Sequence, residues 1–185
     1  MRSLALGSIA AAVVMYVLGF VFFGLLSDLA FDPLDPANAA AIQDTLGSSL
    51  ARTGTYLVPH DEAAWRTGPG AMVSFVIAGG APGAAAAMIG GFVHILVSAV
   101  LIGLGVKAVG GDFSRRSRAV LWLGIAAAVM MHLGDPVWMG FGWRYSLYAC
   151  VADAVMFVAG GLVLARWFTS SEAPRAPVGA AAAAE

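Results

Sequence analysis

LALGSIAAAVVMYVLGFVFFGLL, residues 4–26, carries no charged side chain over a run long enough to decide the fold. As a helix, about twenty apolar residues cross a hydrocarbon core of about 30 Å. A cleaved signal peptide would have an apolar region of only about 7–15 residues followed by a small-residue cleavage site. The stretch, preceded by Arg2, therefore reads as a permanent first transmembrane helix. Three further runs have the same character: residues 83–106, ending at Lys107; residues 119–133; and residues 145–165, ending at Arg166.

Composition agrees with this. Of the 185 residues 60% are hydrophobic and 11% charged, and the mean hydropathy is +0.84, whereas soluble domains carry about 25% charged residues. The net charge of −1 offers no basic excess for nucleic acid, which is excluded as a partner. The lone Cys150 forms neither an intramolecular disulfide nor a cysteine zinc site. The expected fold is an all-α, four-transmembrane-helix bundle.

Lysine and arginine give the orientation. With the N-terminus inside, Arg2, Lys107, Arg115, Arg116, Arg118, Arg166 and Arg175 lie on the inner side, and only Arg52, Arg66 and Arg144 on the outer. Both termini are expected in the cytoplasm of a bacterial inner membrane, with the RRSR cluster in the loop between the second and third helices.

Residues 27–82 are too polar to span and too long for a plain turn, so they are expected to form a small α+β extracytoplasmic lid. Asp35-Pro36 reads as an N-cap with proline at the first helical position, and Ile42, Leu46 and Leu50 recur at fourfold spacing, giving a helix that ends near Arg52. Residues 54–59 and 71–77 are β-rich and separated by a polar stretch containing Gly68-Pro69-Gly70, the pattern of a β-hairpin. The alternative is an early start of the second helix at residue 71, against which Gly79-Gly80-Ala81-Pro82 reads as a break. The domain plan is thus residues 1–26 as the first helix, 27–82 as the lid, 83–168 as helices two to four, and 169–185 as a disordered Pro/Ala-rich cytoplasmic tail.

Few polar residues interrupt the spans, and those that do are the site candidates. By helical rise, Tyr16, His94 and Asp153 share one depth band, roughly 12–16 Å from the outer surface. A carboxylate there should be paired or face the bundle. Gly90, His94 and Ser98 stack on one face, as do Gly124, Ala128 and His132, and Ala149, Asp153 and Phe157. His94 and Asp153 are the expected pair, with Tyr16 completing the cluster. His132 is placed higher, at an outer rim with Asp135, Trp138, Trp143 and Arg144, where Pro136 closes the third helix and Arg144 snorkels or pairs with Asp135. That rim is first an aromatic belt; its alternative is a site for an anionic headgroup or quinone-like ligand.

An interhelical hydrogen bond accounts for His94 and Asp153 without chemistry. A proton-coupled carrier using the two, or a redox or metal site using His94, His132 and Asp153, are the alternatives. No cofactor is expected; haem or metal would need the two histidines at one height. In the lid, His60-Asp61-Glu62 is a solvated run with loose metal-binding capacity. No hydrolase, nucleotide-binding or metalloprotease motif is present. The expected partners are the lipid bilayer and either a second copy of the chain or another membrane protein, in a non-enzymatic accessory or interaction role.

The arrangement Gly54-Thr55-Tyr56-x-x-Pro59, Trp65-x-x-Gly68-Pro69-Gly70, then Trp143-Arg144-Tyr145-x-Leu147-Tyr148 before a helix with Asp153 and Gly160-Gly161 resembles uncharacterised small inner-membrane proteins of proteobacteria. The resemblance covers residues 1–168 and implies the four-helix plan but no activity and no catalytic residue.

Overall fold

The computed structural model describes residues 2–171. They comprise α1 (Arg2–Phe20), a π-helical turn (Val21–Leu25), a 3-10 turn (Ser27–Leu29), α2 (Pro36–Ser49), β1 (Gly54–Val58), α3 (Glu62–Thr67), β2 (Ala71–Phe75), α4 (Ala84–Val109), α5 (Phe113–His132), α6 (Gly134–Met139) and α7 (Trp143–Ser171). Four segments are long and apolar enough to cross a membrane: Ser3–Leu25, Ala84–Val109, Phe113–Met139 and Trp143–Phe168. The expected tail at 172–185 lies outside the described residues, while residues 169–171 continue α7.

Residues 33–87 form one compact unit and the remaining described residues another. In the smaller unit α2 starts as its sequence predicts: the Asp35 carboxylate accepts from the N–H groups of Ala37 and Asn38 at 2.9 and 3.4 Å, and Pro36 opens the helix. The hairpin is an antiparallel β1–β2 pair with Tyr56 opposite Val73. Its polar connection contains a helix that the sequence reading missed. Asp61 caps α3 by accepting from Ala64 N–H at 2.9 Å, and Glu62 pairs with Arg66 at 2.7 Å, one turn on. Asp61 and Glu62 thus serve the helix, and His60, Asp61 and Glu62 are all exposed, as a solvated run should be.

In the larger unit α7 lies between α1 and α5, and glycines let the backbones approach. A Cβ on Gly161 would collide with Val120, one on Gly124 would lie 2.6 Å from the Phe157 ring, and one on Gly160 would strike Met15. The core they seal includes Ala11, Ala12, Val120, Leu164 and Ala165. α4 is seated far more loosely, with 6% of its most apolar window buried against 22–28% for the other three segments. It touches α1 through Phe92 and Tyr16, whose rings meet edge to face, and through Gly103, which faces Leu4 and Ser8.

Two boundaries differ from expectation. The α4–α5 connection is only residues 110–112, with Gly110 and Gly111 both at positive φ (61° and 79°), a conformation that favours glycine. Asp112 then caps α5 by accepting from Arg115 N–H at 2.9 Å. The cationic cluster therefore lies on the first turns of α5 and not in a loop. Proline at 136 does not close the preceding helix either: α5 ends at His132, and Pro136 lies in the first turn of α6, where a missing N–H costs nothing.

The glycine contacts separate tight packing from open space. Gly161→Leu should lower the stability of the purified protein by about 1–3 kcal/mol, the usual cost of overpacking. Gly105→Ala, where an added Cβ meets nothing within 4 Å, should stay within about 0.5 kcal/mol of the parent. Thermal unfolding in detergent followed by helical circular dichroism measures both.

Candidate functional site

Three polar side chains of α7, Arg144, Tyr148 and Asp153, bond groups of neighbouring elements. Near its Trp143 end, Arg144 bonds the turn that follows α1. Its Nε donates to the Leu29 carbonyl at 2.9 Å, one terminal nitrogen to the Asp28 carbonyl at 3.3 Å, and the other to the Asp32 carboxylate at 3.1 Å. A cation on the last carbonyls of a helical turn is well placed for both hydrogen bonding and the backbone dipole. Tyr145 stacks on Phe31 with centroids 5.5 Å apart. One turn further along, the Tyr148 hydroxyl lies 2.6 Å from the Phe22 carbonyl oxygen and 3.0 Å from that of Leu26, its single proton shared between them. These carbonyls belong to the π-helical turn and its end, where Leu26 N–H reaches back five residues to Val21 at 3.0 Å.

Deeper in the helix stands Asp153, with His132 of α5 as its partner at 2.6 Å between Nε2 and Oδ2. With the carboxylate ionised, Nε2–H donates to it and Nδ1 stays available as donor or acceptor according to its own protonation. Both side chains are part-buried, at 18% and 34% relative exposure, so the bond forms at the flank of the α5–α7 seam and not at its centre.

This pairing replaces the one expected from sequence. His94 is exposed on α4, and Tyr16 donates to the Met88 carbonyl at 3.2 Å, so Tyr16, His94 and Asp153 do not form a cluster. The physical reason is the length of the outer turn. Because α6 carries the chain on to Met139, the hairpin tip falls at residues 140–142 and not at Pro136. His132 then lies eight residues below Gly140, and Asp153 eleven below Gly142, which brings them level. The faces were legible: Gly124 meets Phe157 on the same stripe that carries His132 and Asp153.

The rim candidates also separate. Arg144 pairs with Asp32 and not with Asp135, and Asp135 is exposed. Trp138 and Trp143 are 85% and 50% exposed. Tyr148, absent from the expected site, is the residue that bonds α7 to the end of the α1 segment. Among the described residues no three His, Cys, Asp or Glu side chains come together as a metal site requires.

Fold and site together define a class: a helical bundle with four helices long enough to cross a membrane, whose polar side chains tie one helix to the next. No family model, curated protein or solved structure matches the chain.

A double-mutant cycle isolates the His132–Asp153 bond. His132→Leu and Asp153→Leu should each destabilise the protein, with a coupling energy of about 1 kcal/mol, inside the range known for interhelical hydrogen bonds in membranes. His94→Leu combined with Asp153→Leu should be additive. Coupling between His94 and Asp153 instead would show that the wrong histidine had been paired.

Proposed function

We propose that the chain is a multi-pass inner-membrane protein of interaction type, non-enzymatic, which assembles with a second copy of itself through the outer face of α4. The observation that carries this reading is His94. It is the eleventh of the 26 residues of α4, it is exposed, and its flanks Val93, Val97 and Leu101 are 52%, 56% and 64% exposed. Its backbone carbonyl accepts from Ser98 at 3.1 Å, but among the described residues the imidazole itself has no bonded partner.

An imidazole in the middle of a bilayer is costly unless it faces protein or water. A neutral one both donates and accepts, so two copies related by a two-fold axis satisfy each other, as an isologous interface requires. Gly90, one turn away on the same face, has nothing within 4 Å of its Cβ position, which leaves room for a close approach of backbones. The other polar side chains in the apolar helices support the same role, since Asp153, Tyr16, Tyr148 and Arg144 all bond protein groups and hold the scaffold together.

The cytoplasmic placement of both termini rests on the seven-to-three division of lysine and arginine, with Arg115, Arg116 and Arg118 on the first turns of α5 near the short 110–112 connection. A fluorescent protein fused at the C-terminus should be bright and a periplasmic phosphatase at the same place inactive; the reverse pattern overturns the orientation.

Self-association is tested in a Cys150→Ser background. Val97→Cys should give a disulfide-linked dimer in native membranes on mild oxidation, whereas Val13→Cys, on the exposed face of α1, should not. Adding His94→Leu should reduce the cross-linked fraction severalfold while leaving thermal stability unchanged. A fraction unaffected by His94→Leu would show that the imidazole does not form the interface.

A further inference from the structure

The His132–Asp153 pair uses only part of its hydrogen-bonding capacity within the protein. Nε2 and Oδ2 meet at 2.6 Å, and among the described residues Nδ1 of the imidazole and Oδ1 of the carboxylate have no bond. Neither of these two atoms is enclosed by protein, so both reach the surface of the bundle. Asp153 is the eleventh of the 29 residues of α7, which places the open atoms within the apolar span, where hydrocarbon cannot answer them.

One turn from Asp153 on the same face of α7 is Phe157, and Phe157 lines a cavity of ≈ 310 Å³ shared with α4 and α5. Leu101 and Gly105 of α4 and Leu123 of α5 form other parts of its wall. Arg116 also lines it, but it is 1% exposed and engaged within the protein, so it is not offered to a ligand. Small-molecule sites have this make-up: about 300–1,000 Å³, mostly apolar, with a few polar groups that fix orientation. Oδ1 of an ionised carboxylate can only accept, whereas Nδ1 accepts when the ring is neutral and donates when it is charged. In either state the molecule that completes the site must bring a hydrogen-bond donor. Because it arrives through lipid, it is otherwise apolar and carries no charge.

We propose that the His132–Asp153 pair and the cavity beside Phe157 form one binding site for a neutral, lipid-soluble hydroxyl compound. Its O–H donates to Asp153 Oδ1 and its apolar body lies in the cavity. The site rests on the membrane reading given above and not on self-association.

The test is photolabelling of the full chain in native membranes with an analogue of 1-decanol that carries a diazirine in mid-chain, followed by peptide mass mapping. The expected result is a saturable adduct on the segments of α4 or α5 that line the cavity. At matched membrane concentration, unlabelled 1-decanol should displace the probe about tenfold more effectively than decyl methyl ether, the difference that a hydrogen bond to a charged group supplies. Asp153→Leu should erase that difference. At Gly105 an added Cβ meets nothing within 4 Å, so Gly105→Leu should fill the cavity and reduce labelling severalfold with the thermal midpoint unchanged. 4-Octylphenol in the same competition separates a phenolic source from an aliphatic one, according to which compound displaces the probe at the lower concentration. Equal displacement by alcohol and ether, or an adduct that survives Gly105→Leu, overturns the site. Absence of any saturable adduct overturns it too and leaves water as the group that answers Oδ1. An alkaline carbonate wash of the same membranes tests the membrane reading separately, so that a chain retained there without saturable label loses only this site.

Discussion

Hydrocarbon cannot hydrogen-bond, so a polar group on an apolar helix is stable only where another part of the protein answers it. The arrangement around α7 follows from that constraint. At the Trp143 end of the helix Arg144 takes up two carbonyls and a carboxylate at the close of the α1 segment. One turn on, Tyr148 answers the carbonyls of the π-helical turn, and Asp153 then turns to the other side and binds His132. Beyond Asp153, Gly160 and Gly161 let α1 and α5 close on α7 from both sides. One helix thus uses a guanidinium, a hydroxyl, a carboxylate–imidazole bond and close van der Waals contact at different points along its length.

Much of this was legible in the sequence, and what was not has a physical cause. Four apolar runs, the Asp35 cap and the β-rich runs at 54–59 and 71–77 are local properties, and the chain folds as they indicate. The stripes Gly124–Ala128–His132 and Ala149–Asp153–Phe157 were also legible, because small residues mark where helices approach. Which histidine met Asp153 was a different kind of question. It depended on the height of a hairpin tip, and Pro136 suggested a stop where the chain instead begins α6. Six residues of extra helix, roughly 9 Å at the helical rise, were enough to bring His132 level with Asp153. Arg144 was misassigned for the related reason that its partners lie more than a hundred residues away in sequence, beyond the reach of spacing rules. In the smaller unit, α3 was hidden because six residues carry no periodicity, although Asp61 at its start and the Glu62–Arg66 pair one turn apart were visible.

α4 shows the limit of patterning from the other direction. Its residues are apolar on all sides, so sequence periodicity cannot tell a face against protein from a face against lipid; both are equally dry. The Gly90–His94–Ser98 stripe looks like the stripes of α5 and α7, yet it faces outward. Small residues alone therefore do not identify an internal seam. What distinguishes the two cases is the fate of the polar member: His132 is bonded across a seam, and His94 is left on an open surface.

A helix held by a ring contact and a few small residues gains little from its own bundle, and its position must depend on what else lies against it. The two open features of α4 are at different heights and have different chemistry. His94, at mid-span, calls for a group that can donate or accept where no lipid atom can, which only protein or water supplies. The slot beside Gly105 lies toward the 110–112 turn and is lined by apolar side chains and by Arg116. The imidazole thus calls for a polar group from outside its own bundle, whereas the slot, apolar apart from the buried Arg116, makes no such demand.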